Sequence, residues 1–268
     1  VAEEFELDLP AGRLHAQRFG RKDAPLVLAV HGLSANMHAF DYLAEHLVAQ
    51  RDRQVVAVDL RGRGGSDVTP PGTYGLEAHA RDVLDAASAL GAERFDWMGW
   101  SLGALTGIVA SGIAPDRIRS LGLIDHAGAA DKSAIEAGLN RLDLEVADAE
   151  SYVEMIAGVS PIRPFTGFWR RYFAYEFGRT NKVACLEDLM DVSNYDWPAR
   201  WSDVTMPAAL VRCTQPLNGG FVVPEDVARQ VQAMLPTLTR TDVEADHFTV
   251  MTRAKTAMVL GALIDGAA

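Results

Sequence analysis

A chain of 268 residues, 49% of them hydrophobic, has room for one large domain or a domain with an insertion, and for a sizeable core. Its formal charge of −11, with no Lys/Arg cluster beyond Arg170-Arg171, argues against nucleic acid and anionic membrane surfaces as partners. No stretch reaches the ~18 apolar residues of a membrane span, and Val1 to Phe19 has no apolar leader core, so the expectation is a soluble, cytoplasmic protein.

Glu4 to Leu9 and Arg13 to Phe19 both alternate polar with apolar residues around the turn Pro10-Ala11-Gly12, which predicts two short antiparallel strands. Leu26 to Val30 is continuously apolar and reads as a strand buried on both faces. His31-Gly32-Leu33-Ser34 closes it, and Phe40, Leu43, Ala44, Leu47 and Val48 follow at helical spacing. Gln54 to Val58 is a second buried strand, ended by the Gly-rich loop Asp59 to Asp67. Leu76 to Leu90 reads as a helix, and Phe95 to Met98 as the strand after it.

Gly99-Trp100-Ser101-Leu102-Gly103 then separates that strand from a helical run, Leu105 to Ile113. A serine flanked by glycines between strand and helix is the context of a nucleophile elbow, in which strained backbone lifts the hydroxyl above the sheet edge. The Leu102 amide, at the helix N-terminus, points toward the same space and supplies half of an oxyanion hole.

Ser120 to Ile124 is the next strand and ends in Asp125-His126. From residue 130 to 197 the strands stop. Helical stretches at Ala134 to Glu145, Ser151 to Ile156, Phe168 to Phe177 and Ala184 to Val192 are broken by Ser160-Pro161 and Arg163-Pro164. The expected organisation is a core domain, 1–129 and 198–268, carrying a helical cap insertion, 130–197. The core resumes with strand Ala208 to Cys213, helix Pro224 to Leu235, strand Leu238 to Val243 and a last helix, Val250 to Ile264. The two cysteines, Cys185 and Cys213, form no metal or redox spacing and read as buried thiols. Strands alternating with helices imply a mostly parallel sheet whose ligand site lies beyond the strands' carboxyl ends. His31-Gly32, Asp59, Ser101, Asp125 and His247 each stand just after a predicted strand.

On these pieces the chain resembles the α/β-hydrolase fold superfamily: His31-Gly32-Leu33, Asp59-Leu60-Arg61-Gly62-Arg63-Gly64, the elbow, and a late Asp246-His247-Phe248. The resemblance implies an α/β fold with a mostly parallel eight-stranded sheet, helices on both faces and a helical cap. It also implies the order nucleophile, acid, histidine. In that family the second oxyanion donor is the amide after His-Gly, here Leu33. His31 itself reads as pinning its own loop. His247 is the expected base, since a serine hydroxyl needs an imidazole to take its proton. His15, His38, His46 and His79 fall on an early strand or near helices and read as surface or packing residues.

Most members carry the triad acid after the seventh strand, yet Ala208 to Pro224 contains no Asp or Glu. Asp125, after the sixth, is the nearest candidate by topology. Some branches, including certain dehalogenases and the enamide hydrolase of pyridoxine breakdown, place their acid there, and this chain looks more like the latter. The rivals are Asp226, expected at a helix start, and Asp246, expected to point away from His247; the bland alternative is that Asp125 only caps a turn.

Trp100, inside the elbow, and the aromatic run Phe165 to Phe177 suggest a mainly apolar pocket, with Trp169 and Phe173 as candidate substrate contacts. His126, at a strand end beside the pocket, either touches substrate or serves structure. Arg163, Arg170 and Arg171 either select a carboxylate or lie solvated. The expected function is a serine hydrolase of a small ester, lactone, thioester or activated amide. It would act through an acyl-enzyme on Ser101 without metal or organic cofactor, as a monomer or homodimer. Rival expectations are carbon-carbon bond hydrolysis, cofactor-free oxygen chemistry, or a non-catalytic small-molecule receptor.

Overall fold

The computed structural model describes residues 2–128, 140–143, 145–217 and 219–267. The strands are β1 (Glu3–Leu9), β2 (Gly12–Gly20), β3 (Leu26–Val30), β4 (Gln54–Val58), β5 (Phe95–Trp100), β6 (Ile118–Ile124), β7 (Ala208–Cys213) and β8 (Leu238–Val243). They form one eight-stranded sheet in the order β1-β2-β4-β3-β5-β6-β7-β8. β2 runs antiparallel to β1 and β4, and every other pairing is parallel.

The continuous apolar strands divide their side chains between two layers. Leu26, Leu28 and Val30 of β3 pack on one face with helices α2 (Leu76–Ala89) and α3 (Leu102–Ile113). Val27 and Ala29 pack on the other with α1 (Asp41–Gln50) and the last helix. Burial on both faces is why these strands read as unbroken hydrophobic runs and not as alternation.

Between β6 and β7 the described chain is helical: α4 (Ala149–Val159), α5 (Gly167–Glu176), α6 (Lys182–Val192) and α7 (Trp197–Trp201). The expected stretch Ala134 to Glu145 lies largely outside the described residues, of which Asn140–Asp143 form a 3-10 turn. Helix α7, at the end of the expected insertion, went unanticipated. Its five residues begin Trp197-Pro198, capped by Asp196 accepting from the Ala199 amide, which is too short a run to show periodicity. After β7 come α8 (Glu225–Met234), β8 and α9 (Ala254–Gly266). The expected single helix from Val250 is split: Thr249–Thr252 form a 3-10 turn and Arg253 is extended, at φ −98 and ψ 127, before α9 begins. The split lets Val250 and Met251 bury under the histidine loop while α9 lies along the sheet.

Among the described residues no helix is long and apolar enough to cross a membrane. Cys185 and Cys213 are buried thiols.

Candidate active site

Ser101 follows β5 at φ 55 and ψ −118, the left-handed conformation that a side-chain-bearing residue adopts only when its surroundings force it. Both elbow glycines have steric reasons. A Cβ on Gly99 would lie 2.2 Å from the Gly103 carbonyl oxygen, and one on Gly103 would lie 1.9 Å from that of Val30. The serine backbone is tied to the neighbouring strand by its amide, which donates to the Ile124 carbonyl at 3.0 Å.

The His31-Gly32-Leu33 loop lies directly against this serine. A Cβ on Gly32 would sit 3.1 Å from Ser101 Cβ and 3.6 Å from its Oγ. His31 is fully buried, and its Nε2 is 3.0 Å from the Leu60 amide, which can only donate. Nδ1 therefore carries the proton and donates to the Gly32 carbonyl at 2.8 Å. That carbonyl shares a peptide plane with the Leu33 N–H, so the imidazole fixes the direction of the amide. Burial pushes the His31 pKa down to about 4, which keeps the ring neutral and able to accept from Leu60. The Leu33 carbonyl is held in turn by Arg63 Nε at 2.9 Å and Cys185 Sγ at 3.4 Å. Arg63 is wholly buried and ion-paired with Asp188 of α6, which also meets His79 Nε2 at 2.9 Å. Burial works against this guanidinium's charge, but the Asp188 carboxylate outweighs it and raises the pKa.

Asp125 also has a positive φ, 48. Its amide donates to the Val211 carbonyl at 2.7 Å, and its Oδ1 accepts from the Cys213 amide at 2.8 Å, so the carboxylate leans across the end of β7. Its Oδ2 is 2.9 Å from His247 Nδ1. Burial pushes the Asp125 pKa upward, but the hydrogen bond and charge of His247 and the Cys213 amide prevail and hold it below the ordinary carboxylate range. With an ionised acceptor at Nδ1, His247 keeps its proton there and leaves Nε2 as the basic nitrogen.

Trp100 fixes the histidine loop: its Nε1 donates to the His247 carbonyl at 3.0 Å, and the two rings lie 5.3 Å apart. Asp246 points the other way and accepts from the amides of Phe248 and Thr249, while Asp226 sits in the first turn of α8. Ser101, Asp125 and His247 thus each stand just beyond the carboxyl end of a strand, β5, β6 and β8 respectively. The contact formed is Asp125 with His247; among the described residues Ser101 Oγ makes no hydrogen bond.

Ser101 opens onto a small cavity of about 30 Å³ lined by Leu33, Leu102, Leu105, His126, Leu189 and Val192. Trp100, Trp169 and Phe173 do not line it. Trp169 and Phe173 are buried in an aromatic cluster, where Trp169 meets Phe248, beside His247, at 6.0 Å. Arg170 pairs with Glu154 at the surface, and Arg163 donates to the Ser160 and Ile162 carbonyls. Among the described residues no three His, Cys, Asp or Glu side chains are grouped to hold a metal ion.

Sequence reasoning missed three contributors. Arg63 stood in a glycine-rich loop with nothing to mark it as buried. The Cys213 amide acts through backbone, which no side chain reports, and Asp188 sat on a helix read only for its apolar spacing.

Residues 25–155 match the family described as alpha/beta hydrolase fold. The chain has the α/β-hydrolase fold. A serine hydrolase-like protein of Danio rerio is 32% identical over 129 residues, 48% of this chain and 39% of that protein. An esterase of Mycobacterium tuberculosis is 25% identical over 228 residues, 81% of this chain and 74% of the esterase. The chain therefore spans well under half of the first relative and about three quarters of the second. Among solved structures, that of E-2-(acetamidomethylene)succinate hydrolase is 23% identical with a TM-score of 0.84, covering 99% of this chain and 100% of that one. At that identity the likeness is one of fold.

Proposed function

We propose that this α/β-hydrolase is a serine hydrolase that cleaves a small carboxylic ester, lactone, thioester or activated amide through an acyl-enzyme. The observation that carries the reading is the 2.9 Å Asp125–His247 contact at the sheet edge where Ser101 is held at φ 55.

In this reading Ser101 Oγ attacks the carbonyl carbon as its proton passes to His247 Nε2. The serine–histidine hydrogen bond forms with substrate in place, since such contacts are often loose before it arrives. The amides of Leu33 and Leu102 hold the oxyanion, each donor supplying ~3 kcal/mol of transition-state stabilisation. The intermediate collapses, the bond to the leaving group breaks, and that group takes the proton from His247. Water then attacks the acyl-enzyme, gives a proton to His247, and releases the acid with Ser101 restored. Asp125 holds the Nδ1 proton throughout and stabilises the imidazolium.

We assign residues 130–197 as the cap and 1–129 with 198–268 as the core. In support, Leu189 and Val192 of α6 join Ser101 in one cavity, and Tyr175 of α5 donates to the buried Asp59 at 2.8 Å. The substrate is a small molecule.

A fluorophosphonate probe tests the reading. Covalent labelling at Ser101, lost in Ser101→Ala, together with a burst of p-nitrophenol from p-nitrophenyl acetate, is expected. A folded protein that shows neither label nor burst overturns it.

A further inference from the structure

His126 follows the acid at the end of β6 and is 3% exposed. Its Nδ1 accepts from two successive backbone amides, Ala127 at 3.0 Å and Gly128 at 3.3 Å. Because amides can only donate, Nδ1 bears no proton, and in a neutral ring Nε2 must carry it. Burial, reinforced by the nearby His247, pushes the His126 pKa down to about 3, so the ring is neutral wherever the enzyme works.

That N–H has been given no protein acceptor: among the described residues His126 makes no hydrogen bond through Nε2. The side chain lines the cavity with Ser101, and among the described residues the remaining walls, Leu33, Leu102, Leu105, Leu189 and Val192, are aliphatic. An imidazole N–H without a protein acceptor, on a ring set among aliphatic walls, is a cost to the folded protein unless something that fills the cavity accepts from it. The ring is held by its two Nδ1 bonds, and the backbone that supplies them is itself fixed. Trp201 Nε1 donates to the Ala127 carbonyl at 2.8 Å, and Gly128, at φ +120, lies so close to Trp197 that a Cβ would come within 2.5 Å of the indole.

We infer that His126 is a specificity-determining residue whose Nε2–H donates a hydrogen bond to a substrate oxygen. The group seated beside Ser101 is then short and carries an ether, carbonyl or amide oxygen in place of plain hydrocarbon. The size limit follows from the cavity: 30 Å³ is room for about two water-sized groups. The inference rests on the serine hydrolase reading and deepens it by naming what one flank of the scissile carbonyl must offer.

Isosteric ester pairs, in which an oxygen replaces a methylene, test it on both flanks. On the acyl side they are p-nitrophenyl methoxyacetate and p-nitrophenyl butyrate; on the leaving-group side, 2-methoxyethyl acetate and butyl acetate. Each kcat/KM ratio is divided by the corresponding ratio for hydroxide hydrolysis, which removes intrinsic reactivity. In at least one pair the wild type is expected to favour the oxygen member by about 3- to 10-fold, the worth of one neutral hydrogen bond. His126→Gln, which keeps an N–H in the cavity, retains the preference, and His126→Leu loses it. A purely structural histidine would lower both members of each pair alike.

No preference in either pair for the wild type, or a preference that survives in His126→Leu, overturns the inference. Should His126→Leu fail to fold, the wild-type ratios decide alone. Failure of the underlying reading is separately visible, as absence of fluorophosphonate label at Ser101.

Discussion

The loops after β3 and β6 each bury a neutral imidazole beside Ser101, and they spend its two nitrogens differently. In the β3 loop both nitrogens of His31 are consumed by backbone, one accepting from Leu60 and one donating to Gly32, and the group we propose to face the nucleophile is the Leu33 amide. In the β6 loop backbone takes only one nitrogen of His126, and what the loop presents are side chains: the Asp125 carboxylate, which meets His247, and the His126 ring, which lines the cavity. The β3 loop is therefore tolerant of side-chain identity at Leu33 and intolerant of backbone shift, whereas the β6 loop depends on the side chains at Asp125 and His126 as well as on its backbone.

The largest expected effect breaks the comparison at the acid. Asp125→Asn should keep the fold but lower kcat by about 10⁴-fold, because an amide no longer selects the Nδ1–H tautomer or stabilises the imidazolium. Leu33→Ala, which keeps its N–H, should stay within a few-fold of wild type. Steady-state kinetics on p-nitrophenyl acetate measure both. Near-normal turnover by Asp125→Asn would remove the acid assignment, and a collapse in Leu33→Ala would refute the backbone reading of the β3 loop.

The same division explains what was legible in the sequence. Backbone chemistry leaves a local trace, because close approach demands glycine: Gly32, Gly99 and Gly103 each stand where a Cβ would meet Ser101, the Gly103 carbonyl or the Val30 carbonyl. The buried runs of β3, β4 and β7 marked those strands to the residue, since both-face burial allows no other pattern. Side-chain chemistry assembled across strand ends leaves no such trace. The Asp125–His247 partnership was reached by subtraction, from a stretch between Ala208 and Pro224 with no carboxylate, and the Cys213 amide that completes it is silent in sequence. The tie from Arg63 to Asp188 spans 125 positions and joins two segments that each read as ordinary, so only the folded chain reveals it.

A smaller effect sharpens the backbone side. Gly32→Ala adds a methyl 3.1 Å from Ser101 Cβ, at a position whose backbone is not left-handed, so the loop must give by a few tenths of an ångström. We expect about a 10-fold drop in kcat with KM little changed, because the shift misplaces the oxyanion amide relative to the nucleophile without altering ground-state binding. Equal losses in kcat and in affinity for a ground-state analogue would instead mean that the methyl blocks the pocket.

The smallest effect concerns stability, and it tests the neutrality of the two imidazoles. In the unfolded chain a histidine takes up a proton near pH 6.5, whereas His31 stays neutral to about 4 and His126 to about 3 when folded, both chiefly through burial. Between those limits the unfolded state binds more protons, so stability must fall as pH falls, each ring contributing up to about 1.4 kcal/mol per pH unit. His126→Gln removes one of the two contributions. Plotted against pH, its unfolding free energy should decline less steeply than that of the wild type between pH 6 and 4, and the two curves should run parallel above pH 7.5. Urea denaturation at a series of pH values measures the difference, in which the carboxylates and His31 cancel. Parallel curves throughout would mean that the His126 ring is charged in the folded protein, which would also place a proton on Nδ1 that its two amide contacts forbid.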